Sequence, residues 1–319
     1  MYLIPIFEPF LLFRSDIIDN KSKRKVGFVV NPKAGINKSA YDEIKSLCKK
    51  IFDDSYQIEI HLTRGPGDAT AISQHYAQDN FDVVASAGGD GTANETAQGL
   101  LGSETAMTII PYGSGNGLAR GLRIPMNKEK ALRTILTGSP RLIDVGEIID
   151  GDKRKLFFGF AGIGYDAFIG KLFNDRTGRR GLFSYIYLSI VSYSEFKPVS
   201  MKIKVNDKEI FTNPFVLAVA NTNEYGNGAK IAPHAIPDDG FFELCILQDM
   251  TMFKGLLQGW RLFDGSIDKI AEMTMLRTTK VEVFPESSVY YHADGETQQT
   301  SNPLIFSILP RHLKMIAPQ

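Results

Sequence analysis

The stretch DVVASAGGDGTANETAQGLL, residues 82–101, sets a short apolar run, a glycine-rich loop and a helix-forming run end to end. Residues 82–87 form a compact apolar run followed at once by glycines, which reads as a strand buried on both faces. Gly88-Gly89-Asp90-Gly91-Thr92 supplies the loop, and a helix is expected over residues 92–101. The same grammar recurs on both sides. Residues 26–30 (VGFVV) are a β-branched run ending in Asn31-Pro32-Lys33-Ala34-Gly35. Ser39 then opens a helix, with Asp42 three residues on as in a capping box, and Ile44, Leu47, Cys48 and Ile51 share one apolar face. Residues 56–62 alternate as a strand does, and Asp68 is expected to cap a second helix running to Tyr76. Residues 106–110 form the next strand, ending in Pro111-Tyr112-Gly113-Ser114-Gly115-Asn116-Gly117. Strands alternating with helices predict a parallel sheet covered on both faces, with ligands at the carboxyl ends of its strands.

Beyond about residue 141 the pattern changes. Short β-leaning runs at 156–160, 201–205, 215–220, 241–247, 279–283 and 304–309 predict a second, mostly antiparallel domain. Helices are expected at 175–193 and 252–263; in the latter, Phe253, Leu256, Leu257 and Trp260 recur at helical spacing and are expected to face the core. A chain of 319 residues, 43% hydrophobic, is long enough for two such domains. Lys plus Arg equals Asp plus Glu at 36 each, which argues against a dedicated nucleic-acid binder. Cys48 and Cys245 form no CxxC pair and no zinc or disulfide framework, as suits a reducing cytoplasm. No stretch approaches the roughly 20 apolar residues of a spanning helix. The apolar start, MYLIPIFEPFLLF, is broken by Pro5, Glu8 and Pro9 and reads as a surface arm rather than a signal peptide.

The chemistry is expected where the three glycine loops meet. Glycine lets backbone N–H groups approach a phosphate, and the helix N-termini that follow add a favourable dipole. One such loop is most often a tight turn; three at one sheet edge make a cradle. Gly35-Ile36-Asn37-Lys38-Ser39 ends like a P-loop, but Asn37 stands where that motif needs glycine. Gly162-Ile163-Gly164-Tyr165-Asp166-Ala167 fits GxGxxA by spacing, but it lies late in the chain and reads as a packing turn. None of the five histidines shows metal-ligand spacing, although His234 and His292 lie near site elements. Residues 171–183 mix cations with Leu and Phe, as a membrane-facing patch does and as a solvated loop also can.

Several blocks together carry a resemblance. Gly88–Thr92 followed by Asn94-Glu95 is similar to the nucleotide signature of diacylglycerol and sphingosine kinases. NAD kinases and phosphofructokinases carry related loops. Residues 111–120 (PYGSGNGLAR) resemble the PxGTGNDFAR block of the lipid kinases, residues 31–35 their first loop, Pro237-Asp238-Asp239-Gly240 their DDG element, and residues 291–296 (YHADGE) their DGE block. These blocks follow the family order from about residue 25 onward. The resemblance implies an α/β nucleotide domain, a C-terminal β-sandwich domain and an active site in the cleft between them. It implies boundaries at 24–142 and 143–303, with strand 304–319 returning to the first domain and 1–23 as an arm.

It also implies ATP contacts at Asn31, Pro32, Lys33, Ala34, Gly35, Thr63, Gly88, Gly89, Asp90, Gly91, Thr92, Asn94, Glu95, Gly113, Ser114, Gly115 and Asn116. Asp294 matches the general base, with Glu296 beside it. Asp239, with carbonyls near Ile236 and Phe241, matches a Mg²⁺ site. Asp68 and Asp90 at the cradle suit Mg²⁺, which prefers oxygen ligands. Phosphoryl transfer needs these parts: held phosphates, a neutralising metal and a carboxylate for the alcohol proton. An Asp-Gly pair such as Asp294-Gly295 is, on its own, most often a surface turn.

Two positions depart from the bacterial diacylglycerol kinase pattern. Gly117 replaces its Asp, and Ser114 its Thr, which is closer to sphingosine and ceramide kinases. The expected acceptor is therefore diacylglycerol or a sphingoid-type lipid, met at the inner face of a membrane by peripheral contact. The alternatives are a soluble-substrate kinase of the NAD kinase type and a non-catalytic nucleotide-binding homologue. A homodimer is left open.

Overall fold

The computed structural model describes residues 23–34, 40–175 and 182–318. The first half alternates as its apolar runs require: β1 (Arg24–Val30), α1 (Ala40–Ile51), β2 (Tyr56–Leu62), α2 (Asp68–Gln78), β3 (Val83–Gly88), α3 (Asp90–Leu100) and β4 (Ala106–Pro111). The four strands pair in parallel in the order β2-β1-β3-β4. Every residue of β3 and β4 is buried, as a parallel sheet covered on both faces demands. Ile44 and Cys48 of α1 enter this core. The expected cap at Ser39 lies outside the described residues. Asp68 does not cap α2: Gly67, at φ +85°, holds the cap position, and Asp68 is the first helical residue. Its Oδ2 instead accepts the Arg64 N–H at 2.7 Å. Helix α3 starts at Asp90, two residues earlier than expected, so most of the second glycine loop is the first helical turn.

Two short helices follow, α4 (Gly117–Gly121) and α5 (Lys128–Thr137), then β5 (Ser139–Asp150), β6 (Lys153–Phe157) and β7 (Phe160–Gly164). The single strand expected at 156–160 is thus two, broken at Phe158-Gly159. The GxGxxA stretch is the β7-to-α6 turn, with α6 spanning Tyr165–Asp175. The helix expected at 175–193 is α7 (Leu182–Val191), preceded by residues outside the description. Next come β8 (Met201–Val205), β9 (Lys208–Thr212), β10 (Val216–Ala220) and β11 (Phe242–Leu247). Helices α8 (Met252–Gln258) and α9 (Arg261–Asp264) divide the expected 252–263 helix. The chain finishes its sheets with β12 (Met273–Thr278), β13 (Lys280–Pro285), β14 (Val289–Ala293), β15 (Glu296–Thr300) and β16 (Leu304–Ala317).

An antiparallel sheet, β12-β11-β10-β7-β14-β15, packs on β5, β8, β13 and the start of β16 to form a sandwich. Strand periodicity decides the layers. Leu217 and Val219 of β10 enter the sandwich core, while Val216, Ala218 and Ala220 point to the outer face, where Tyr165, Ile169 and Leu188 cover them. β16 pairs antiparallel with β5 along its length, with a register shift between Leu309 and Leu313. Its first part also pairs with β13, and Met315 pairs in parallel with Met107 of β4. Leu304 and Phe306 therefore lie in the sandwich core, and Leu313 and Met315 in the α/β core. The boundary expected at 142/143 falls inside β5.

One expectation fails clearly. The stripe Phe253, Leu256, Leu257 and Trp260 faces outward, with Phe253 72% and Trp260 54% exposed. Periodicity identifies an apolar face but not what it meets. Here the opposite side of the helices is tied to the body: Lys254 pairs with Glu272, and Arg261 donates to Ser266.

Candidate active site

The carboxyl ends of β1, β3 and β4 bring the three loops into direct contact. Asn31 Nδ2 donates to Thr92 Oγ1 at 3.3 Å, and Asn31 Oδ1 accepts the Lys33 N–H at 2.9 Å. The Thr63 N–H donates to the Val30 carbonyl, setting Thr63 beside the first loop. A Cβ on Gly113 would lie 2.7 Å from Gly89 Cα, so Gly113 must be glycine for the loops to touch. Asn116, at φ +51°, braces the third loop from within: its side chain accepts from the Gly113 N–H and donates to the Gly113 carbonyl.

Asp90 links the second loop to the third. Its Oδ2 accepts the Asn116 N–H at 2.9 Å, and the Gly117 and Leu118 amides of α4 face the same carboxylate. This is helix capping across two loops. Burial pushes the Asp90 carboxyl above its ordinary value; the three amides oppose this, and the nearby charge of Asp294 adds to it. Glu95, expected at the nucleotide, turns the other way and accepts the Ala69 N–H at the start of α2. Pro32, Lys33, Gly91 and Ser114 are exposed along the rim, with Ala34 half-buried beside them. Gly35 lies outside the described residues.

Across from the cradle, Asp294 and Gly295 form the two-residue turn between β14 and β15, with φ +46° and +86°. Both positive φ values mark the tight hairpin geometry that Asp-Gly favours. The turn reading therefore holds, but the turn aims its carboxylate into the protein rather than at solvent. The carboxylate points inward, where Oδ1 accepts the Gly159 and Phe160 N–H groups and Oδ2 the Phe158 N–H, at 2.8–2.9 Å. Oδ2 also accepts Nδ2 of Asn94, on α3, at 2.8 Å, and Gln98 holds the other end of the Asn94 amide. All four acceptor positions of the carboxylate are thus filled. Burial pushes the Asp294 carboxyl above its ordinary value, against these four bonds, which favour the anion.

The backbone cradle at 158–160 was not legible in advance, because amides carry no side-chain signature and those residues read as one strand. Behind the turn, Tyr225 donates to Asp166 Oδ2, and His292 Nε2 lies 3.1 Å from the same oxygen. The Gly295 N–H donates to His292 Nδ1. The Thr222 hydroxyl, fully buried near Gly159, has no hydrogen-bond partner. Glu296 does not join Asp294: it is exposed and pairs with Lys155 at 3.4 Å.

The expected metal positions are already engaged. Among the described residues, no three His, Cys, Asp or Glu side chains gather as a metal cage. Asp239 Oδ1 accepts the Phe241 N–H, and its Oδ2 lies 2.6 Å from Arg277 Nη2, whose guanidinium sits 4.2 Å over the Phe241 ring. A built-in cation therefore occupies the place expected for Mg²⁺, and the side chain of Ile236 is exposed. The residues at that position do not fit a structural Mg²⁺ site. Asp68 is half-buried at the start of α2, with its Oδ2 on the Arg64 N–H.

A glycine cradle on a parallel sheet, faced by the Asp294 carboxylate of a β-sandwich, is a two-domain arrangement suited to phosphoryl transfer. Residues 25–148 match the model of the diacylglycerol kinase catalytic domain, and residues 159–317 that of the YegS C-terminal NAD kinase beta sandwich-like domain. A diacylglycerol kinase of Mycobacterium tuberculosis is 30% identical over 246 residues, 75% of this chain and 77% of its own. A diacylglycerol kinase of Bacillus subtilis is 26% identical, covering 93% of this chain and 97% of its own. A crystal structure of a diacylglycerol kinase from Bacillus anthracis shares the fold, with a TM-score of 0.68 at 22% identity over 92% of this chain and 97% of its own. The chain belongs to the diacylglycerol kinase family of lipid kinases.

Proposed function

We propose that the chain transfers the γ-phosphoryl group of ATP to the hydroxyl of a lipid alcohol, with diacylglycerol as the first acceptor to test. The observation that carries this reading is the 2.8 Å bond between Asn94 of the cradle helix and Asp294 of the sandwich turn, which sets a carboxylate against the phosphate-binding edge. The N-terminus of α3, set among the glycine loops, suits a polyphosphate. Asp294 would accept the acceptor's hydroxyl proton. Three of its hydrogen bonds come from fixed backbone, so the Asn94 side chain is the donor that can yield to a substrate hydroxyl. Mg²⁺, arriving on the triphosphate, would neutralise its charge; it needs only one or two protein carboxylates, and Asp68 and Asp90 are the carboxylates proposed to serve.

Two observations support a lipid over a soluble acceptor: the family match and the apolar surface described next. A cytoplasmic enzyme acting at the inner membrane face fits the absence, among the described residues, of any helix long and apolar enough to cross a membrane. The test is transfer of radiolabel from ATP to a panel of diacylglycerol, sphingoid bases, ceramide and NAD. Asp294→Asn should cut lipid phosphorylation by about 10²–10⁴-fold with ATP binding retained. Equal turnover by the variant would remove Asp294 from the chemistry, and label on NAD alone would replace the lipid reading.

A further inference from the structure

We infer that the outer face of α8 and α9 is the surface by which this protein seats itself on a lipid bilayer. This rests on the lipid-acceptor reading and adds where the membrane lies. Met252, Phe253, Leu256, Leu257, Trp260 and Phe263 are each 45–72% exposed. The first five fall at i, i+1, i+4, i+5 and i+8, one continuous stripe on the helical surface. Scattered apolar residues need no explanation, but a contiguous aromatic and aliphatic stripe does. The α8–α9 unit is firmly held rather than loose. Leu262 and Met250 pack on the outer core of the sandwich, and Leu262 accepts the Lys230 N–H at 2.6 Å. The stripe is therefore presented outward by an element anchored on both sides of α8.

Its chemistry is that of an interface. Residues 252–263 contain no acid, α9 ending on Asp264; Lys254 is paired with Glu272, which leaves Arg261 as the cation beside the stripe. The Arg261 guanidinium lies 4.9 Å from the Trp260 ring, the pairing of an amphipathic ring with a cation that suits headgroup depth. Its position joins it to the cleft. A Cβ on Gly228 would touch Phe263, and the turn at 226–229 lies on the third cradle loop, with the Asn227 N–H donating to Gly115. On the other side, the Tyr193 hydroxyl just beyond α7 donates to the Met250 carbonyl, and Ile186, Tyr187, Ile190 and Val191 of α7 are also exposed. A bilayer covering this face would deliver a lipid headgroup beside the cradle. A soluble partner or a second copy gains nothing from that adjacency.

Trp260 is the only tryptophan in the sequence, so its fluorescence reports the contact without mutation. Vesicles of phosphatidylcholine, alone or with phosphatidylglycerol, should shift its emission to the blue, and brominated acyl chains should quench it. Phe253→Ser and Leu257→Ser should each weaken vesicle binding by about tenfold. They should slow turnover of vesicle-embedded diacylglycerol while sparing a short-chain diacylglycerol dissolved as monomer. Trp260 emission that ignores saturating vesicles overturns the inference, as does an emission shift that follows protein concentration without lipid. Insertion of Trp260 with no acceptor phosphorylated would leave the docking face standing and remove the kinase reading.

Discussion

Gly117 has no room for a side chain. A Cβ there would meet the Tyr225 carbonyl oxygen at 2.5 Å and its carbon at 3.0 Å, both backbone atoms that cannot swing aside. Restoring the family aspartate would therefore push the 224–226 segment off the third loop before any metal network could form. Gly117→Asp and Gly117→Ala should both cost roughly 1–3 kcal/mol of stability. Chemical denaturation checks this, and unchanged midpoints would show that the segment can retreat. The raised value at Asp294 has a kinetic consequence of definite sign. As the proposed base, Asp294 must be an anion, so kcat/KM should rise with pH through an acid limb above the ordinary aspartate value of about 3.9. For folding the sign is opposite: a carboxyl raised by burial favours the fold below its ordinary value and costs stability as pH climbs through the raised one. A pH–rate profile with its limb at or below the ordinary value would show that burial does not govern the base.

At the level of elements, the DDG turn is connected to the site rather than merely near it. The Gly240 N–H donates to Asp144 Oδ2 at 2.7 Å, and Asn221 Nδ2 bridges the carbonyls of Asp144 and Phe158, the latter within the Asp294 cradle. Arg277 closes this turn through Asp239. Chelating divalent cations should therefore leave the melting temperature of the substrate-free protein unchanged. Arg277→Ala should lower it slightly, a half-exposed pair contributing about 1 kcal/mol or less, and should make stability respond to added Mg²⁺. A melting temperature that drops on chelation in the wild type would restore a bound ion there. The elements also show what was readable beforehand. β2 was legible residue for residue, and β1 and β4 nearly so, because continuous apolar runs and clean alternation are strong signals. β9 and β15 were not, because their half-exposed, polar sequences (KEIFT, ETQQT) resemble loops, and β14 (VYYHA), though mostly buried, is a short run without clean alternation. The cradle loops were legible from recurring glycines. Asp294 came only through resemblance, since an Asp-Gly turn looks the same wherever it points, and the outward turn of α8 goes with the Lys254–Glu272 pair, a partner 18 residues on that periodicity does not register.

Across the whole molecule, β5 and β16 run as one long ribbon through both halves. Ile143 and Leu313 pack in the α/β core while Ile148 and Phe306 pack in the sandwich. The halves should therefore unfold together, in a calorimetric transition whose enthalpy matches its van't Hoff value. Leu313→Ala, at a fully buried site, should lower the stability of the entire chain by about 2–5 kcal/mol, read as a single shifted transition and not as early loss of one half. Two separate transitions would show that the ribbon is a tether. The shared ribbon also limits how such proteins can be recombined. The sandwich is not a cassette to be cut out at one junction and fused to another nucleotide-binding half, because the strand that seals β4 is encoded downstream of it. A working hybrid would need two crossovers, one within each ribbon strand, and the register shift between Leu309 and Leu313 is where the second should fall.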